Sequence, residues 1–347
     1  MKDKIYKMKN HCLFIILSLM GLLCFQSCNK DFDSNAPEKD VTIVYGILDA
    51  AKDTNYIKIY KGFLTTTNAY DVAKEWDKVY YFDEIDVILE EYDAHHNLLN
   101  TITLDTTTSI PRENGGDFPT KQLLYTITKP LHKENTYQLV ITNRESGRKI
   151  TANTNIVGDF SITAPSPTLN NLDITKTVST PIKYTEAANA THYDVYQYFY
   201  FVEKDHRNPS DPGTKKYIKR KINGDLLSST ETGYIPRTLI TAIASQLKPN
   251  PNIERYIIHE SIRFEVIAVN EVFSIYLNAN NMNPSVVLDR MSYTNIQAKD
   301  KLVNGIFASR NSSFTHFYAI KQEGQEMLVN SNETRALNFH LEEDYKE

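Results

Sequence analysis

Four groups of residues in this 347-residue chain have types and spacings that could do chemistry. The first is DFDSNAPEKDVT, residues 31–42, whose alternating oxygen donors resemble the start of a calcium loop. Such a loop needs Gly at its sixth position and Glu at its twelfth. Ala36 and Thr42 stand there, so no calcium site is expected. The second is His95-His96, a possible metal pair. Adjacent side chains on a strand point to opposite faces, and Asp93 and Asn97 flank the pair, so an exposed turn is expected. The third is the basic run Lys215, Lys216, Lys219, Arg220 and Lys221, which could grip an anion. The solvated side of an edge strand gives the same pattern, with lysine blocking unwanted pairing, and that is the expectation. The fourth is aromatic: Tyr193, Tyr196, Tyr198, Phe199, Tyr200 and Phe201. Exposed in a groove, such rings hold apolar ligands or stack on sugars. In a central strand they pack a core, which is the expectation here. Trp76, near Tyr70 and Tyr80, is a weaker ring platform.

Several reaction centres are missing. There is no G-x-x-x-x-G-K-[ST] phosphate cradle, no G-x-S-x-G nucleophile elbow and no H-E-x-x-H zinc helix. Paired carboxylates cannot be picked out among 43 acidic residues. No catalytic residue, metal ligand or cofactor is therefore assigned, and the chain is expected not to be an enzyme. With a formal charge of −5, it is not expected to bind nucleic acid.

The elements that would hold these residues are mainly strands. The chain has 22 Tyr and 15 Phe, residues suited to pleated, half-buried surfaces. Strands are expected at 41–49, 55–64, 84–93, 100–106 and 123–129, with a short helix at 68–77 started by Asn68. In 84–93, Ile85, Val87 and Leu89 share one face and Asp86 and Glu90 the other. Residues 136–157 read as a hairpin: Tyr137, Leu139 and Ile141 go out on one face, Asn143 to Gly147 turn, and Ile150, Ala152, Thr154 and Ile156 return. The spacing predicts an antiparallel β-sandwich over 41–163. Residues 164–347 predict a second, β-rich α+β domain, with strands at 193–203, 215–222 and 262–270 and its main helix at 238–247. The two are expected to meet near 160–180 without sharing a sheet.

The N-terminus is read from composition. Residues 2–9 hold four lysines and one acid, and residues 12–25 hold no charge. That run is shorter than the roughly 17–25 residues a membrane span needs, and it has the layout of a secretory signal peptide, 1–27. It ends in Phe25-Gln26-Ser27-Cys28, which resembles the lipobox of bacterial lipoproteins, with Phe25 where leucine is usual. The resemblance implies cleavage before Cys28, acylation of its thiol with fatty acid such as palmitate, and a flexible tether over 28–40. A thiolate is a ready nucleophile for such attachment, and several acyl chains make a lasting anchor. Cys12 and Cys24 leave with the signal, so no disulfide is expected. In lipoproteins of this kind a short charged segment behind the cysteine directs export to the cell surface. Here that role would fall to Lys30, Asp31 and Asp33.

Three further stretches, VYGILDAAKDTNYIKIYKGFL, TYQLVITNRESGRKITANT and SYTNIQAKDKLVNGIFASR, together resemble a group of Bacteroidota outer-membrane lipoproteins of unknown function. Those proteins begin with an immunoglobulin-like β domain and often accompany TonB-dependent transporters. In this chain QAKDKLVN intervenes between Asn295-Ile296 and Gly305-Ile306-Phe307, where the group runs through Gly-rich residues. The resemblance implies a lipid-anchored, surface-exposed outer-membrane protein, either a binding or accessory component of a nutrient-uptake system or an adhesin or structural module. A hydrolase without a recognisable motif is the third class.

Overall fold

The computed structural model describes residues 41–62, 69–72, 74–113, 120–281 and 293–345. The signal peptide, the tether, Cys28, Lys30, Asp31, Asp33 and the Asn68 cap lie outside the described residues, as does all but the end of the 31–42 stretch. The fold is mainly β, with 45% of residues in strands and 14% in helices.

Strands form where expected in the first half, except that the one expected over 100–106 divides at Leu104 into two that join different sheets. They are β1 (Val41–Leu48), β2 (Asn55–Gly62), β3 (Ile85–Tyr92), β4 (Leu98–Thr103), β5 (Asp105–Thr107), β6 (Leu124–Ile127), β7 (Thr136–Asn143) and β8 (Lys149–Asn155). Val44 and Leu48 of β1, Ile57 and Ile59 of β2, Val87 and Leu89 of β3, and Leu139 and Ile141 of β7 turn inward and are buried in one core. One sheet runs β1-β2-β6-β5 and the facing sheet β8-β7-β3-β4. This is the A-B-E-D against G-F-C-C′ order of immunoglobulin-like sandwiches. The expected helix at 68–77 is two single turns, α1 (Ala69–Val72) and α2 (Trp76–Val79). The break turns Trp76 onto Tyr80 and Phe82, with ring centroids 5.2 and 5.8 Å away.

A buried polar cluster marks the approach to β7. The Tyr137 hydroxyl accepts the backbone N–H of His132 at 2.7 Å. It donates to Glu91 Oε1 at 2.9 Å. A tyrosine reaching back to the chain just upstream is a hallmark of these sandwiches. Glu91 is buried and also accepts from Asn135 Nδ2 at 2.7 Å, while His132 Nδ1 lies 2.5 Å from the same oxygen.

The second half contributes β9 (Ile162–Ala164), β10 (Asn171–Leu172), β11 (Thr180–Tyr184), β12 (His192–Asp205), β13 (Thr214–Lys221), β14 (Glu231–Tyr234) and β15 (Ile253–Val269). After these come β16 (Gln297–Ala298), β17 (Val303–Phe314), β18 (Ala319–Ile320) and β19 (Phe339–His340). Its helices are α3 (Thr238–Gln246), α4 (Glu271–Asn281) and α5 (Gln322–Asn330). Helix α3 buries Leu239, Ile240 and Ile243 in a second core, built around Phe199, Phe201 and Phe264. It stops where Leu247 turns extended ahead of Pro249. Strand β15 starts well before the expected 262, because the far half of β12 needs a partner: Phe201 to Asp205 pair with Ile257 to Ile253.

The expectation that the two halves share no sheet needs correction. Core membership changes between Ile156 and Val157, but the second half does not stay on its own side. Ile296 and Phe307 are buried in the first core. Residues 303–309 of β17 pair in parallel with 42–48 of β1. Residues 310–314 of the same strand then pair antiparallel with 269–265 of β15. Among the described residues this makes one nine-stranded sheet, with path β13-β12-β15-β17-β1-β2-β6-β5 and β19 beside β15. The physical reason is length. A strand rises about 3.3 Å per residue, so the 12 residues of β17 outrun one sandwich and serve two. At the seam its inward side chains are polar: Asn311 Nδ2 donates to Gly158 O at 2.8 Å, and Val157 N donates to Ser309 Oγ at 3.2 Å. The QAKDKLVN segment supplies β16, a turn and the start of β17. Arg148 fastens that turn to the hairpin, donating to Leu302 O at 2.6 Å and Thr42 Oγ1 at 2.8 Å and pairing with Asp300 at 2.8 Å.

Candidate binding face

Both cores lie on one side of the long sheet, so its other side is built from the alternate residues. This parity divides the aromatic group of β12. Tyr193, Phe199 and Phe201 point into the second core, as expected of a central strand. Tyr196, Tyr198 and Tyr200 point the other way, which the core expectation missed. Cross-strand register extends them. Tyr198 sits between Lys219 and Arg263, Tyr200 beside Tyr217, and Glu265 beside Phe314.

The result is a continuous layer of rings and cations. Tyr198 and Tyr200 stack at 6.0 Å, and Tyr217 lies 5.6 and 5.5 Å from them. Phe317 meets Tyr200 edge-on at 5.3 Å. Lys219 Nζ lies 4.1 Å from the Tyr196 ring centre, and the Arg263 guanidinium 4.4 Å from that of Phe314. Cation–ring contacts of this kind contribute about 0.5–1 kcal/mol each at exposed positions. Beneath the layer, buried Glu265 accepts from the Tyr198 hydroxyl at 2.6 Å and from Lys219 at 2.9 Å. Burial, followed by the Glu265 hydrogen bond, holds the Tyr198 phenol protonated far above its usual range. Tyr217 is 59% exposed and Phe314 42%. Both escaped notice in the sequence, although Tyr217 alternates with lysines along β13.

The basic run lies on β13, an edge strand. Its four lysines each meet a carboxylate. Lys215 pairs with Glu260 at 3.5 Å, Lys216 with Glu203, Lys219 with Glu265 and Lys221 with Asp194 at 2.9 Å. Arg220 donates to Gln197 and Thr238, each at 2.7 Å. The lysines of the run are thus paired along a strand edge, and Arg220 is tied to the neutral Gln197 and Thr238. His95 and His96 sit on a turn closed by Asp93, whose Oδ1 accepts from the backbone of His95 and Asn97 at 2.8 and 2.9 Å. No group of three His, Cys, Asp or Glu suited to a metal occurs among the described residues. Lys121 Nζ covers the Trp76 ring at 4.4 Å, which removes that face as an open platform. A polar cleft of about 390 Å³ at the seam is lined by Asn153, Thr154, Asn155, Asn189 and Asn270 among others. Two of its amides staple the halves together: Asn270 Nδ2 donates to Thr154 Oγ1 at 2.9 Å and Asn189 Nδ2 to Ile156 O at 2.8 Å.

The fold and face define a mainly β protein with a sandwich-type core and an open aromatic sheet surface. No family model matches the chain, and no curated protein matches it. Among solved structures, trypsin-activated alpha-2-macroglobulin from Escherichia coli aligns at 11% identity with a TM-score of 0.18, too low to define a shared fold. That alignment covers 66% of this chain and 14% of the other.

Proposed function

We propose that this chain is a lipid-anchored outer-membrane lipoprotein facing the cell exterior. It acts as a non-enzymatic binding or accessory component and docks a protein partner through the outer face of the long sheet. The observation that carries the docking half is the composition of that face. Tyr and Phe dominate it, and aromatic residues are enriched where protein interfaces concentrate their binding energy. Small-molecule stacking is the poorer fit, because Lys215, Lys219 and Arg263 already cover ring faces. The anchoring half is supported by Cys28 at the end of the apolar run and by the charged residues behind it. An anchor restricts the partner to the same membrane, and a TonB-dependent transporter is the proposed one.

Two experiments test the halves separately. Labelled palmitate should enter the parent chain and fail to enter Cys28→Ala. External protease on intact cells should degrade the parent but spare a chain with Lys30, Asp31 and Asp33 changed to alanine. Palmitate in Cys28→Ala would overturn the anchor. For docking, Tyr217→Ala with Phe314→Ala should leave the melting curve nearly unchanged, since both side chains are exposed. The same pair should abolish in-cell cross-linking to the transporter. Undiminished cross-linking would remove this face from the proposal.

A further inference from the structure

A cavity opens at the edge of the second core, to which its lining residues Leu172 and Tyr234 belong. It holds about 240 Å³ and is mostly apolar. Three proline rings, Pro165, Pro181 and Pro236, supply flat walls. Hydrogen bonds fix the segments that carry them. Thr180 of β11 pairs with Tyr234 of β14. Arg237 N donates to Lys176 O and Lys321 N to Leu172 O, each at 3.0 Å. The Tyr318 hydroxyl donates to Pro165 O at 3.1 Å. The cavity is thus built before any ligand arrives.

Two features of the lining point to a ligand. The first is Tyr234, which is 7% exposed and packs edge-on against Phe264 at 5.3 Å. No hydrogen-bond partner meets its hydroxyl among the described residues. A buried hydroxyl without a partner is costly, and an acceptor in the cavity would relieve that cost. Burial raises the phenol above its ordinary range, so it stays a donor. The second feature is a pair of exposed lysines at the mouth, Lys176 and Lys321. No carboxylate among the described residues lies within ion-pair distance of either. Asp173 is the one carboxylate on the lining, and its Oδ1 accepts the backbone N–H and the hydroxyl of Thr175 at 3.0 and 2.6 Å. Helix α5 starts after Lys321 with no side-chain cap, and its positive end adds to the two ammonium charges.

Volume sets the size of the ligand. A dry apolar cavity of about 150 Å³ takes up benzene, so this one has room for a single ring with substituents. Prolines and flat rings suit one another, as where proline-rich peptides dock in aromatic grooves. We propose that the cavity binds a small aromatic carboxylate that carries a second polar group on its ring. The ring lies among the prolines, the ring substituent accepts from the Tyr234 hydroxyl, and the carboxylate meets Lys176 and Lys321. The site is independent of the docking surface proposed above, because no residue is shared and the ligand is a small molecule.

The test uses the purified full-length chain and four probes. 4-Hydroxybenzoate carries ring, carboxylate and hydroxyl, benzoate lacks the hydroxyl, phenol lacks the carboxylate, and hexanoate lacks the ring. Calorimetry at pH 7 should show 4-hydroxybenzoate binding most tightly. Benzoate should bind about tenfold more weakly, the loss of one hydrogen bond, and phenol at least as weakly, for the lost charge. Hexanoate should show no measurable binding. Tyr234→Phe keeps the ring and should leave the melting curve nearly unchanged. It should weaken 4-hydroxybenzoate about tenfold and leave benzoate as it was. Lys176→Met with Lys321→Met should weaken both acids and leave phenol unchanged, a split that a loosened fold would not produce. Absence of binding by both acids, phenol or hexanoate matching 4-hydroxybenzoate, or equal losses of the two acids in Tyr234→Phe overturns the proposal.

Discussion

Gly305→Ala is expected to cost at least about 4 kcal/mol and to detach β17 from β1, a loss in the range reserved for severe backbone conflicts. Gly305 faces Val44 in the parallel pairing and holds φ at +105°. An added Cβ would lie 1.9 Å from Val44 O and 2.8 Å from Val44 C. Those atoms belong to a strand backbone, so no rotamer change relieves the overlap. Gly147→Ala is the matched control. Gly147 also has positive φ, at +67°, but nothing lies within 4 Å of its built Cβ. Its cost should therefore be only the left-handed backbone penalty, about 1–2 kcal/mol. Urea unfolding followed by far-UV circular dichroism measures both. Near-equal losses would show that the β1–β17 register is wrong.

Glu91→Ala is expected to remove about 3 kcal/mol, because buried Asn135 and Tyr137 lose their acceptor while staying buried. The effect has a pH signature. Hydrogen bonds from Asn135, His132 and Tyr137 outweigh the burial penalty and hold the Glu91 carboxyl below 4.5. Its contribution is thus present above pH 4.5 and fades as pH falls through the lowered value. The Glu91 hydrogen bond, and then its charge, raise His132 above 6.5. That contribution is complete below pH 6.5 and fades as pH rises through the raised value. The histidine is 58% exposed, so its share is the smaller one. The stability difference between parent and Glu91→Ala should peak between about pH 4.5 and 6.5 and shrink on both sides. A difference that grows steadily above pH 7 would contradict the assignment.

What the sequence disclosed and what it withheld follow from the range of each interaction. The 136–157 hairpin was legible because alternation and turn residues are local: Tyr137, Leu139 and Ile141 bury together whatever lies elsewhere. Helix α3 was legible for the same reason. The path of β17 was not. NGIFASR reads as a strand, yet nothing in it states that Val303 to Ser309 will lie along β1, or that the next five residues will join β15. Tyrosines on β12 were assigned to a core because a central strand hides both faces only when both are covered, and here one is open.

The shared strand also sets a timetable. Synthesis proceeds from the N-terminus, so β1 through β8 emerge long before Val303. During that interval the edge from Thr42 to Leu48 has only β2 beside it, and the first core lacks Phe307 and Ile296. The edge segment, VTIVYGIL, has no charge and no proline, the features that normally deter pairing with other chains. Closure waits on a contact of very long sequence separation, which slows folding. A nascent chain that stays unlatched until residues 303–309 appear is one that depends on a chaperone to keep β1 from foreign strands meanwhile.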